Sequence, residues 1–134
     1  MLANSPAGHV FALGLSELRG PEISVYAAWD GDELVGVGAL KALDGKTGEI
    51  KSMRTAAAHL RRGVAARMLE FLIAEARRRG YTRLSLETGS GPAFEPALHL
   101  YRKYGFTNGG PFGDYTNGPF NQCLHLDLGA LSGR

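Results

Sequence analysis

The chain has 134 residues, 44% of them hydrophobic, and a formal net charge of +2 from 15 basic and 13 acidic side chains. That is enough for one domain (1–134) around a single core, and the balanced charge, with no basic tail or acidic block, gives no case for a nucleic-acid partner. Cys123 stands alone and cannot form an internal disulfide, and there is neither a membrane-length apolar run nor a basic leader followed by an apolar core, so a cytoplasmic location without membrane insertion is expected.

In "SPAGHVFALGLSELRG", Ser5 is placed as a cap and Pro6 at the first helical position, followed by Val10, Phe11, Leu13 and Leu15, which predicts a short helix. "EISVYAAW" and "ELVGVGALKAL" are β-rich runs around Asp30-Gly31, a hairpin signal. With "GEIKSMRT" after "DGKTG", they make an antiparallel meander over residues 22 to 55, in which Gly36 and Gly38 are read as close-packing positions. The period then changes to about 3.6: Val64, Ala65, Met68, Leu69, Leu72, Ile73 and Ala76 share one helical face. Arg77, Arg78 and Arg79 suit the negative end of that helix, and Gly80 ends it. "YTRLSLET" then reads as a strand parallel to the one before the helix. A shorter helix runs from Pro96 to Gly105, and "FTNGG" and "QCLHLDL" form a final strand pair around the turn-rich "PFGDYTNGPFN".

The start of the long helix, "HLRRGVAARM", concentrates arginine and glycine where backbone N–H groups lack partners and the helix dipole is positive. A cation there is unfavourable unless an anion offsets it. Gly63 lets an anion approach the backbone, Ala65 and Ala66 keep the first turn open, and Arg61 and Arg62 supply charge-assisted bonds to a pyrophosphate. Solvated arginines are the alternative. No G-x-x-x-x-G-K-[ST] and no G-x-G-x-x-G after a strand occurs, which removes support for nucleotide hydrolysis and dinucleotide redox chemistry.

Taken in order, three blocks resemble the GNAT superfamily of acyl-CoA-dependent N-acyltransferases. "EIKSMRT" leading into "LRRGVA" is similar to the superfamily pattern Arg/Gln-x-x-Gly-x-Gly/Ala that cradles the coenzyme A pyrophosphate; "RLSLET" is the strand after the long helix; "LYRKYGF" matches the Leu-Tyr-x-x-x-Gly-Phe block. With the meander they span about residues 22 to 128. The resemblance implies a GNAT-like α/β fold: a mixed, mostly antiparallel sheet flanked by helices. Leu60 departs from the usual arginine or glutamine. The stretch before the meander is short for the superfamily's first strand and longer helix, so a shortened N-terminal part is expected, with an open sheet edge and pairing of two copies into a homodimer as a hypothesis. "EIKSMRT", "LSLETGS" and "GPFGDY" resemble a group of small bacterial members for which amino acids or related amines are plausible acceptors.

The implied chemistry is direct attack of a primary amine on the thioester of acetyl-CoA in a ternary complex. The resemblance assigns cofactor contacts to Met53, Arg54 and Thr55, to Arg61, Arg62, Gly63, Val64, Ala65 and Ala66, and to Phe94 and Tyr101; a backbone N–H near Met53 and Arg54 polarises the carbonyl. Tyr101 matches the tyrosine that protonates the departing thiolate, a phenol near 10 being close enough to an alkyl thiol to act as its acid; a core aromatic is the alternative. Tyr104 is read as core. Glu49 and then Glu87 are the candidate bases, each with a solvated strand-end carboxylate as the alternative. Asp114 and Tyr115, in the turn-rich segment, are candidates for contacting the acceptor's ammonium group, an aspartate turn being the other reading of Asp114. His9, His59, His99 and His125 lack ligand spacing, so no metal is inferred. An acyl-CoA sensor without turnover is the competing function, and a basic nucleic-acid-binding domain a third.

Overall fold

The period-two runs and their turns build a sheet, and the period-3.6 runs cover one face of it. The computed structural model describes residues 2–4, 22–55, 63–113 and 115–129. Strands β1 (Leu2–Asn4), β2 (Ile23–Asp30), β3 (Glu33–Ala42) and β4 (Thr47–Thr55) lead to helix α1 (Val64–Arg78). Strand β5 (Arg83–Gly89), a 3-10 turn (Pro92–Phe94), helix α2 (Glu95–Lys103) and strands β6 (Thr107–Gly109) and β7 (Asn121–Asp127) follow. The sheet order is β1-β2-β3-β4-β5-β7-β6; among the described strands only β4 and β5 pair in parallel. This is the expected mixed, mostly antiparallel α/β sheet.

Two expectations change. A strand precedes the meander after all: Leu2, Ala3 and Asn4 pair with Ala28, Ala27 and Tyr26, so the β2 edge is paired over these three residues. The helix expected from Pro6 lies outside the described residues. The first hairpin turns at Gly31-Asp32, one residue later than the Asp30-Gly31 reading, because Asp30 pairs with Glu33 and Gly31 takes the positive φ of 61°. The second hairpin is closed by Asp44, whose Oδ1 accepts from the amides of Lys46 (2.7 Å) and Thr47 (2.8 Å).

Helix α1 buries Met68, Leu69, Leu72, Ile73 and Ala76, five of the seven positions given by its period. Helix α2 starts at Glu95 rather than Pro96, after the 3-10 turn, and buries Leu98 and Tyr101. Both helices end alike. Gly80 (φ 84°) donates to the Arg77 carbonyl and Tyr81 to that of Ala76; Gly105 (φ 102°) donates to Arg102 and Phe106 to Tyr101. These are Schellman turns, and glycine is needed at each left-handed position. Arg79 then ties α1 to the sheet: its guanidinium donates to Glu75, to Ser24 Oγ (2.9 Å) and to Tyr26 Oη (2.7 Å). Arg78 holds Glu75 from the other side, and this pairing pulls the Glu75 carboxyl down to about 2.

Helix α1 lies close to the sheet because Gly36 and Gly38 have no side chains, as the packing reading required. A Cβ on Gly38 would stand 3.1 Å from Met68 and 3.2 Å from Leu72. The core on this face joins Leu40, Ile50, Leu84, Leu86, Leu124 and Leu126 to both helices; Val25, Val37 and Ala39 cluster separately on the other face. Gly38→Val is therefore expected to destabilise the fold by about 2 kcal/mol in urea unfolding, whereas Gly45→Ala, with open space around it, stays within about 0.5 kcal/mol. Glu75→Gln removes a carboxylate whose contribution is full above about pH 4.5 and is lost as pH falls through about 2. Unfolding at neutral pH should show a loss of about 1 kcal/mol relative to the parent, and acid titration should show the difference between the two shrinking across that window.

Candidate functional site

Strands β4 and β5 run together for only four pairs, Thr47 with Arg83 to Ile50 with Leu86. Beyond them β4 stays with β3 as far as Thr55, and β5 stays with β7 as far as Gly89. The two strands therefore part, and residues 51–55 face residues 87–89 across a gap with no strand between them among the described residues. A β-bulge helps them part: Val37 pairs with Arg54 but Ala39 with Lys51, so Ser52 and Met53 together oppose Gly38. Backbone groups along such an edge need partners, which an extended ligand can supply.

The start of α1 lies just after β4. Gly63 is its N-cap with φ 80°, no side chain caps the turn, and no acidic residue occupies it. The first intrahelical bond to Gly63 comes from the amide of Arg67 (3.0 Å), so the amides of Val64, Ala65 and Ala66 precede the ladder. This is the anion-ready end expected from the sequence; Arg61 and Arg62, and with them Leu60, lie outside the described residues. Val64 packs beneath Gly36, where an added Cβ would meet it at 3.0 Å. On the β5 side of the gap the Phe94 ring covers Gly89, whose Cβ position is 2.4 Å from it, and Phe94 is itself 41% exposed. Met53 and Thr55 are half-buried and Arg54 exposed on the opposite side.

The candidate acid and bases fall on opposite faces of the sheet. Tyr101 belongs to the helix-side core, beside Phe106 at 5.9 Å between ring centres, and burial pushes its phenol up. Glu49 is on the other face, in register with Lys41 and Ser85. It is not a solvated strand-end carboxylate: only 3% of the residue is exposed. Tyr115 Oη donates to Glu49 Oε2 at 2.7 Å, Lys51 Nζ donates to Tyr115 Oη at 3.1 Å, and Lys51 Nζ stands 3.7 Å from the same Oε2. Glu87 is on this face too, half-buried and in register with Cys123. Burial pushes the Cys123 thiol up, and the carboxylates of Glu87 and Glu49 add to the effect against a lowering bond with the Phe112 backbone.

Next to Glu49 runs a second polar chain. His125 Nε2 faces the Gly110 carbonyl at 2.8 Å and must donate to it, while Nδ1 and Ser85 Oγ share a hydrogen bond at 2.7 Å. Phe112 packs edge-on against both His125 and Tyr115, which holds the turn-rich segment over the face. Sequence reasoning did not single out Lys51, Ser85 or His125 for this site. One signal was available: alternation puts Glu49 and Lys51 on one face of β4, and Cys123 and His125 on the matching face of β7 between Leu124 and Leu126. Asp114 lies outside the described residues. Tyr104, read as core, is half-buried, and its hydroxyl donates to Glu70 at 2.5 Å.

The profile of the acetyltransferase (GNAT) family matches residues 5–106. An uncharacterized N-acetyltransferase of Bacillus subtilis (strain 168), YsnE, is 58% identical over 119 residues, 89% of this chain and 79% of that protein. YedL of Escherichia coli (strain K12), likewise an uncharacterized N-acetyltransferase, is 45% identical over 128 residues, 96% of this chain and 80% of its own. The structure of a GNAT family acetyltransferase from Elizabethkingia anophelis with acetyl-CoA bound shares the fold with a TM-score of 0.77, at 22% identity over 96% of this chain and 97% of that one. Motif order, parted strands and these likenesses agree: the chain belongs to the acetyltransferase (GNAT) family and is an acetyl-CoA-dependent N-acetyltransferase.

Proposed function

We propose that the chain moves acetyl from acetyl-CoA to the primary amine of a small molecule, an amino acid or related amine, by direct attack in a ternary complex. The observation that carries this reading is the gap between β4 and β5, with a buried phenol on one face of the sheet and a buried carboxylate on the other. In this reading the cofactor's pyrophosphate rests on the α1 start, held by Arg61, Arg62 and the amides from Gly63 to Ala66. Its pantetheine arm lies along Met53, Arg54 and Thr55, with Phe94 opposite. The thioester then sits at the gap, with its carbonyl oxygen toward a backbone N–H of the bulge near Met53 and Arg54.

The amine lone pair attacks the carbonyl carbon, the carbon–sulfur bond breaks, and the thiolate takes the Tyr101 proton. The amine's proton leaves on the acceptor side, toward Glu49, with Glu87 as the second candidate. Two carboxylates on that face suit an acceptor that arrives as an ammonium ion, and Asp114 and Tyr115 belong to the segment beside it. A Cys123 thiol kept protonated by burial supports direct transfer without an acyl-enzyme.

Calorimetric titration with acetyl-CoA should give micromolar binding to the parent, and Arg61→Ala/Arg62→Ala should weaken it by about 10- to 100-fold. Thiol release on adding amines separates an enzyme from a sensor, which binds acetyl-CoA and releases none. Tyr101→Phe should lower kcat by about 100-fold while acetyl-CoA affinity holds. Because burial raises the Tyr101 phenol, its acid form persists to higher pH, and the alkaline limb of kcat in the parent should lie above the usual phenol range. A limb at or below that range would remove Tyr101 from the acid role.

A further inference from the structure

We propose that Tyr115 is the group that takes the acceptor's proton, handing its own to Glu49, with Lys51 as the positioning residue of this relay; the inference rests on the amine-acetylating function above. Burial is the first argument. Glu49 is 3% exposed and its side chain 4%, so an acceptor nitrogen cannot touch the carboxylate on that side without displacing what covers it. Tyr115 is half-buried and its hydroxyl is bonded directly to Glu49 Oε2, so it is one of the groups that cover the carboxylate.

Bond polarity is the second argument. The Lys51 ammonium donates to Tyr115 Oη, and the phenol's only hydrogen points at Glu49. A proton that arrives at Oη can therefore pass on toward the carboxylate. As the nitrogen bonds to the carbonyl carbon, its N–H proton moves to Oη and the Oη proton moves to Oε2. The phenol ends neutral as it began, and Glu49 holds the proton until solvent removes it. No co-reactant is needed.

Construction is the third argument. Tyr115 is 64 residues from Lys51 and 66 from Glu49, yet several contacts fix its approach. Its amide donates to the Phe112 carbonyl, Phe112 packs on His125, and His125 bonds to the Gly110 carbonyl and Ser85. Asn117 and Asn121 close the turns on either side, to Gly109 and Thr116. The relay also sits where the chemistry is: Glu49 precedes the last β4–β5 pair, and Lys51 is the first residue beyond it.

Lys51 is the cation of the relay: its ammonium donates to Tyr115 Oη at 3.1 Å and stands 3.7 Å from Glu49 Oε2, which fixes the phenol oxygen against the carboxylate.

The test is steady-state kinetics on the full chain with the amine giving the fastest thiol release, beside acetyl-CoA calorimetry as the check on folding and donor binding. Tyr115→Phe keeps the ring packed on Phe112 and should lower kcat by about 10- to 100-fold, with acetyl-CoA affinity unchanged within about twofold. Lys51→Met should lower kcat by about 10-fold with acetyl-CoA affinity held, and Lys51→Arg should restore it. Tyr115→Phe with the parent's kcat overturns the relay while leaving the function intact, and Lys51→Met with the parent's kcat removes Lys51 from it. A parent that binds acetyl-CoA but releases thiol with no amine overturns both.

Discussion

The parting of β4 from β5 is the constraint on which the rest of this molecule depends. Parallel strands with a crossover helix normally zip along their shared length, because an unpaired buried amide or carbonyl is costly. Here pairing stops after Ile50 and Leu86 although both strands continue. The bulge at Ser52 and Met53 turns β4 toward β3, and β5 is held by β7 over all seven of its residues. Each strand is secured from its outer side, so the fold keeps the gap open without relying on a ligand. The backbone groups left facing it form a fixed edge that an extended cofactor arm can complete.

A gap through a sheet connects two environments that the sheet otherwise keeps apart. On the helix side the surroundings are apolar, and burial pushes the Tyr101 phenol up. On the other side a carboxylate, an ammonium and a phenol are joined by hydrogen bonds within the same few ångströms. The two faces thus differ in kind, a buried phenol among apolar groups on one and a hydrogen-bonded polar cluster on the other.

Much of this was legible in the sequence, and the parts that were share a cause. The period of α1, the glycines ending both helices, the meander and the "LYRKYGF" block are local patterns, set by residues within one or two turns of each other. Gly36 and Gly38 were legible as packing positions because a strand interior gives little other reason for glycine. The first strand was missed because three residues carry no period, and the Glu49 environment because its partner Tyr115 is 66 residues away. Glu49 in isolation reads as a charged residue near a strand end; only the folding of segment 110–120 over β4 and β5 makes it a buried one. Ser85 and His125 were missed likewise, since their pairing depends on β7 inserting beside β5.

That insertion also imposes an order on synthesis. The first four strands lie in the sheet in the order in which the ribosome delivers them, so each can pair with the one just made. Strand β5 finds β4 waiting on one side, but its other edge stays bare until residues 121–127 emerge, because β7 and not β6 belongs there. A nascent chain halted before that point has its α1 start and the β4 bulge, while Ser85 still lacks His125. The α1 start and the β4 bulge are thus made before the strand that completes the face carrying Glu49. In the interval β5 offers an unpaired edge to other chains, which makes the time taken to reach residues 121–127 a determinant of how much of the protein reaches its native state.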